Sequence, residues 1–160
     1  MRSTELRKMD RNIFLKACSY CAYQERTQNE VRERLKKWQV WGNEAEEIIA
    51  ELILENFINE ERFAKVFAGS KFRVKKWGKK KILLELKRRN ISDYCIKQGM
   101  KEIDQDNYEE SLKELFEKKI KTIKRDDNPL ITKQKLARYA LGKGFESELV
   151  WRVLKEVNLD

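Results

Sequence analysis

Apolar residues recur along this chain with the period of a helix. Phe14, Cys18 and Cys21 stand at i, i+4 and i+7, and Ile48, Ile49, Leu52, Ile53 and Phe57 form a broader stripe. Further stripes follow at Phe63, Val66, Phe67, Ser70 and Val74, at Leu112, Leu115, Phe116, Ile120 and Ile123, and at Val150, Val153, Leu154 and Val157. No useful length of chain alternates apolar and polar positions as a half-buried strand does. Leu, Glu, Lys and Arg dominate, and all are good helix formers. The pattern predicts an all-α chain of about nine helices, most ~10–18 residues long.

The polar breaks between stripes carry start and stop signals. Thr27-Gln28-Asn29-Glu30 fits a capping box. Asn43 is expected to cap a helix after the Gly42 turn, with Glu44, Glu46 and Glu47 in its first turn, and Asn59 to cap the next. Gly78 separates the basic helix that starts at Lys79 from what precedes it. Asn90-Ile91 and Gly144-Phe145 read as left-handed stops followed by an apolar contact. Pro129 sits behind Asn128 as a first helical residue behind its cap.

These signals repeat. Shifted without gaps, Ile82 falls on Leu136, Leu86 on Ala140, Asn90 on Gly144, Ile91 on Phe145 and Met100 on Leu154. The same frame sets Val31 on Ile82, Leu35 on Leu86 and Val40 on Ile91. A helix, a stop and a second helix therefore occur three times, each preceded by another helix, in units of about 50 residues. The expected organisation is an N-terminal segment and first repeat over 1–58, a second repeat over 59–104 and a third over 105–160. One such unit buries little core alone. Three in series make an elongated, curved molecule held by nearest-neighbour contacts.

Charge changes the picture at one place. The 160 residues carry 36 Lys+Arg and 27 Asp+Glu, a net +9. Residues 1–20 contribute +3, residues 21–58 contribute −3, and residues 59–70 and 91–160 each balance. Residues 71–90 hold ten basic groups against Glu85 alone, so the entire excess falls there. The candidate partner- or DNA-binding residues are Arg73, Lys75, Lys76, Lys79, Lys80, Lys81, Lys87, Arg88 and Arg89, a footprint for a polyanion or an acidic protein surface. Residues 80, 87 and 88 lie near one another by helical angle, while Lys81 and Arg89 turn elsewhere. Trp77 beside them invites base stacking, although a Trp at a helix junction usually packs; Trp38, Trp41 and Trp151 are read as packing residues.

Candidate catalytic chemistry is sparse. The chain has no His, which excludes imidazole acid–base work and His-activated nucleophiles. Gly69-Ser70-Lys71 lacks the Walker spacing, and no GxSxG or dinucleotide fingerprint occurs. Cys18 and Cys21 share an apolar helix face and read as buried structural thiols. Glu60 and Glu61 point about 100° apart and suit a first turn rather than a carboxylate pair. No catalytic residue, cofactor or metal site is therefore expected. Three cysteines are an odd count that suits a reducing cytosol. No apolar run approaches the ~20 residues of a membrane span, and residues 1–12 show no secretory leader.

The stretch Glu55-Asn56-Phe57-Ile58-Asn59-Glu60-Glu61-Arg62-Phe63-Ala64, followed by Trp77-Gly78-Lys79-Lys80-Lys81-Ile82, Glu85-Leu86-Lys87 and Asn90-Ile91, resembles the RecX family, regulators of the RecA recombinase. Upstream, Arg26-Thr27, Glu30-Val31-Arg32 and Leu35 are similar to the family's first-repeat motif; downstream, Gly144-Phe145 with Val150 resembles its closing repeat. Asn56 and Asn90 stand where Gly is usual, Asn59 replaces the first of an acidic pair, and Thr27 replaces Ser. Each exchange keeps a cap or a left-handed residue. The resemblance implies a cytosolic, monomeric, non-enzymatic protein of three tandem three-helix modules. It implies binding in the groove of the RecA–single-stranded DNA filament, with RecA as partner and the DNA strand as a second one. The expected effect is mainly inhibition of ATP hydrolysis, strand exchange and coprotease activity in DNA repair and the SOS response. The competing reading is a stand-alone helical DNA-binding regulator. A helical scaffold without any nucleic-acid link is a third.

Overall fold

The computed structural model describes residues 11–159. Nine helices are described: α1 (Arg11–Tyr23), α2 (Gln28–Lys37), α3 (Gly42–Leu54), α4 (Glu60–Arg73), α5 (Lys79–Arg88), α6 (Asp93–Met100), α7 (Gln105–Ile120), α8 (Pro129–Gly142) and α9 (Ser147–Leu154). They form three successive three-helix modules, α1–α3, α4–α6 and α7–α9.

The caps explain why the helices start where they do. Thr27 accepts the Glu30 amide at 3.1 Å, and the Glu30 carboxylate accepts the Thr27 amide at 3.4 Å, completing the box. Asn59, Ser92, Asp104 and Asn128 each accept an amide of the first turn they precede. One expectation fails: α3 starts at Gly42 behind Trp41 with no side-chain cap, so Asn43 is inside its first turn. Gly42 has φ +68°, and this left-handed step redirects the backbone one residue before Asn43.

The middle helices of all three modules stop alike. Gln39, Asn90 and Gly144 have φ of +65°, +57° and +100°. The next amide then bonds back into the last turn, Val40 to Leu35 at 2.9 Å, Ile91 to Leu86 at 3.3 Å and Phe145 to Ala140 at 3.2 Å. Val40, Ile91 and Phe145 are all buried, so each stop doubles as a core anchor. Asn56 makes the same left-handed turn after α3.

The cores are not equally divided. Val31, Leu35, Ile48, Ile49 and Leu52 belong to a first core confined to α1–α3 and Ile58. Modules two and three share a single second core, from Phe63 to Leu154, with Tyr108 and Phe116 fully enclosed. Their joint depends on two glycines. A Cβ on Gly78 would lie 2.2 Å from the Gly144 carbonyl carbon, and one on Gly144 would lie 2.4 Å from the Lys81 Cβ. The Gly78 amide donates to the Lys143 carbonyl at 2.8 Å and the Lys80 amide to the Gly144 carbonyl at 2.9 Å. The Lys79 amide donates to the Tyr108 hydroxyl at 2.9 Å, and that hydroxyl donates to Glu146. Burial first, and then the Glu146 carboxylate, push the Tyr108 hydroxyl far above the ordinary phenol range. The α5 N-terminus, which has no side-chain cap of its own, is thus capped by the neighbouring module.

The joint between modules one and two is polar by contrast. Glu60 accepts the Gln28 amide at 3.1 Å and its side-chain amide at 3.2 Å, and Arg62 pairs with Glu25. Burial raises the Glu60 carboxyl pKa above its usual range.

Stripe assignments need correction in two places: Ile53 on α3 is 43% exposed, and the α4 stripe is rotated. Val66 on α4 is 50% and Val74 just past its end 74% exposed, while Ala64, Ala68 and Phe72 are buried. The reason is the crossing with α6: a Cβ on Gly99 would sit 2.7 Å from the Ala64 Cβ, a distance that only small residues permit. The helix is therefore rotated toward its alanines.

Candidate anion-binding surface

The basic stretch forms the end of α4, the loop over residues 74–78, and α5. Its local sequence works against its own helix. The first turn of α5 is Lys79-Lys80-Lys81 with no acid, whereas α3, α4, α6 and α7 each carry acidic residues there. A cation at a helix N-terminus faces the positive end of the macrodipole, a cost of about 0.3–1 kcal/mol each. The third module and the rings of Tyr108 and Trp77 offset part of this cost, and Lys80 alone of the three stays exposed.

The structure sorts the candidate cations into two groups. The first is held inward on aromatic rings. Lys81 Nζ lies 4.4 Å and Lys71 Nζ 5.0 Å from the Trp77 ring centre, and the Arg89 guanidinium lies 4.8 Å from that of Phe67. Phe67 and Trp77 meet edge to face at 6.2 Å. Trp77 itself packs half-buried against the shared core. Lys79 Nζ is 4.5 Å from the Tyr108 ring and bonds Gln105 at 2.9 Å. Glu85 accepts from Arg89 and Arg88, each at 3.0 Å, and the Arg89 and then Arg88 contacts hold its carboxyl below the usual range. The second group is exposed and has no ion pair among the described residues: Arg73, Lys75, Lys80 and Lys87. Lys76, half-buried, takes φ +59° in the loop. On α5, Lys80 and Lys87 lie on one face two turns apart, with exposed Leu84 between them. Lys81 and Arg89 turn to the aromatic side, and Arg88, about 20° from Lys81 by helical angle, lies off the Lys80–Lys87 face.

Two residues outside the stretch extend this surface. Lys143 Nζ donates to the Lys75 carbonyl at 3.4 Å and lies 5.8 Å from the Tyr139 ring centre; Lys119 Nζ lies 4.4 Å from the same ring. Segment charge counts hide both, because residues 91–160 balance overall. The 68-residue contact between Lys143 and Lys75 reveals the first, and the approach to the Tyr139 ring the second.

The other candidate chemistry is structural. Burial raises the Cys21 thiol to about 11, too high for thiolate reactivity at neutral pH, and Cys18 is also raised by burial. Among the described residues, no group of three or more His, Cys, Asp or Glu is placed to hold a metal ion. No described helix is long and apolar enough to cross a membrane. Trp38 packs on the first core and meets Tyr20 edge-on at 6.4 Å. Trp41 is 60% exposed at the N-cap of α3, ahead of the left-handed Gly42, and does not pack as expected.

Three domain descriptions match the chain in order. The first three-helix domain of RecX matches residues 14–52, the second 59–100 and the third 106–154. The chain belongs to the RecX family. The Regulatory protein RecX of Clostridium acetobutylicum is 30% identical over 145 residues, covering 89% of this chain and 67% of that protein. That of Bacillus cytotoxicus is 29% identical over 144 residues, covering 90% of this chain and 53% of that protein. The chain thus spans about half to two thirds the length of these curated RecX relatives. The crystal structure of RecX from Lactobacillus salivarius superposes with a TM-score of 0.80 at 24% identity, over 92% of this chain and 95% of that one. A second RecX crystal structure gives a TM-score of 0.83 at 19% identity, over 96% and 74%. The basic helix α5 therefore lies in the second RecX domain, and Tyr139 and Lys143 in the third.

Proposed function

We propose that this protein regulates a RecA recombinase, mainly as an inhibitor, by binding the RecA–single-stranded DNA filament. On this reading it lies as a monomer along the filament groove and lowers ATP hydrolysis, strand exchange and coprotease activity in DNA repair and the SOS response. The observation that carries the proposal is the lysine-rich first turn of α5, kept against the helix dipole and flanked by exposed Lys75 and Lys87. Modules in series support it further, because contacts on several filament subunits add through effective concentration. The resemblance of the sequence motifs to RecX regulators supports RecA as the partner. The module limits read from the sequence, at residues 58 and 104, belong to the same proposal, as does a cytosolic, non-enzymatic role.

The stand-alone DNA-reading alternative fits α5 less well. Ile82 and Leu86 are buried and Leu84 is the exposed residue between Lys80 and Lys87, whereas base edges call for Arg, Asn or Gln.

The test follows from the sorting of the cations. Lys75→Glu, Lys80→Glu and Lys87→Glu combined touch none of the aromatic-held residues, so the fold is expected to survive. The half-inhibitory concentration against RecA ATP hydrolysis on single-stranded DNA should rise about tenfold or more, since each lost ionic contact is worth a fraction to several fold. Undiminished inhibition by the triple variant would remove this surface from the contact. Retention on RecA filaments formed with an ATP analogue, against free DNA, separates the filament reading from the DNA-reading one.

A further inference from the structure

The basic surface runs on into the first module and there becomes a cleft. Between α2 and the C-terminal end of α5 lies an open cavity of about 320 Å³. Tyr20, Arg34 and Lys37 line it from the first module, and Arg88 and Arg89 from the second. Its volume is near the lower end of small-ligand sites, ~300–1,000 Å³.

The lining acids are already engaged. Glu30 accepts the Thr27 amide, and Glu33 accepts from Lys36 at 3.2 Å. Glu85, behind the cleft, takes one Nη1 from each of Arg88 and Arg89. A guanidinium has five N–H donors, so both arginines keep donors free for a further oxyanion. Arg34 and Lys37 have no ion pair among the described residues, and Lys37 is exposed. The balance of available groups is cationic.

The cleft also holds a platform for a flat ring. The Arg34 guanidinium lies 4.7 Å from the Tyr20 ring centre, and Arg26 lies 3.8 Å from it. Trp38 backs the same ring edge-on. A guanidinium plane supported by an aromatic is a stacking surface for an unpaired base. On the far side, Arg89 leads directly to Phe67 and from there to Trp77.

We infer that this cleft binds one nucleotide unit of single-stranded nucleic acid. The base stacks on the Arg34–Tyr20 platform, and the phosphate sits among Lys37, Arg88 and Arg89. The strand enters from the α5 side and crosses the joint between modules one and two. Its occupant bridges two modules that otherwise meet through polar contacts, so binding also fixes their relative position. The inference rests on the single-stranded DNA partner of the proposed function and gives it a site, while its test needs no RecA, so either can fail while the other stands.

The experiment uses the full chain and a fluorescein-labelled single-stranded oligothymidylate, with anisotropy read across a salt series. Arg34→Glu with Lys37→Glu should weaken binding about tenfold or more and flatten the logarithmic salt slope by about 0.7, the value for the one phosphate contact that Lys37 makes on a single strand. Arg34→Lys keeps the charge and removes the plane. It should weaken binding about fivefold or more at an unchanged slope, in line with the usual contribution of one stacked base. Retained helical content by circular dichroism accompanies both. Absence of binding by the unaltered protein, or equal affinity and slope in both variants, overturns the inference. Loss of RecA inhibition with oligothymidylate binding intact also overturns it, and assigns the cleft to a protein surface.

Discussion

At the scale of single residues, the most consequential positions are those where two backbones touch. Gly78 and Gly144 come from different modules, and their closeness leaves no room for a side chain. Gly78→Ala is expected to cost about 2 kcal/mol or more, because overpacking at a backbone contact cannot relax through a rotamer. Gly142, with nothing within 4 Å of its would-be Cβ and a place at the end of α8, is the control. Gly142→Ala should stabilise by about 0.5–1 kcal/mol through helix propensity. Chemical denaturation of both variants checks the contrast, and equal effects would contradict the joint described above. The sequence shows Gly78 as a helix break and Gly144 as a stop; both readings hold, but neither reveals that the two residues meet. Tyr108 is similar. Its aromatic side chain suits a core, yet its hydroxyl supplies the cap of a helix 29 residues earlier. Exposed Val66 and Val74 were legible as apolar but not as outward-facing, because the Gly99–Ala64 crossing decides the rotation of α4.

At the scale of elements, local signals account for most helix ends. The capping box at Thr27, the asparagine caps at positions 59 and 128 and the left-handed stops at Asn90 and Gly144 stand where the residue types place them. These devices act within four residues, so the sequence carries them in full. Thr27 is fully buried as well as capping. Thr27→Ala should therefore cost about 1–2 kcal/mol, at the upper end for an N-cap. Thr27→Ser should recover most of it, since the hydroxyl is what the Glu30 amide needs. Midpoints of urea unfolding for the two variants provide the measurement; an equal loss in both would mean that the methyl packing, not the cap, matters at this site. The basic helix α5 is the exception to local consistency. Its N-terminus is satisfied only by Tyr108, Lys143 and Gly144 of the third module.

At the scale of the whole molecule, three repeats do not make three equal neighbours. The second and third modules share one apolar core and a backbone-to-backbone seam. The first has its own core and meets the second through Gln28–Glu60 and Glu25–Arg62. Hydrophobic burial over a shared core, at ~25 cal/mol per Å², couples modules more strongly than a few part-buried polar pairs. The amides of α1–α3 are therefore expected to exchange with solvent as a separate, less protected unit than those of α4–α9. Hydrogen exchange under native conditions tests this, and a single uniform protection for all three modules would contradict it. Glu60→Ala with Arg62→Ala should lower the protection of the first module and leave the α7–α9 amides unchanged.

What the chain determines alone is its all-helical class, its repeat and its stops, because these follow from the periodicity and from interactions a few residues long. Its net charge, too, is placed by counting. The tertiary structure decides which of those cations are free. Lys71, Lys81 and Arg89 are drawn onto Phe67 and Trp77, while Lys75, Lys80 and Lys87 stay in water. It also adds Lys143 and the cleft beside Tyr20, which join residues from different modules. The physical reason is range: a cap or a helical stripe needs neighbours in sequence, whereas a surface needs neighbours in space, and only packed modules supply them.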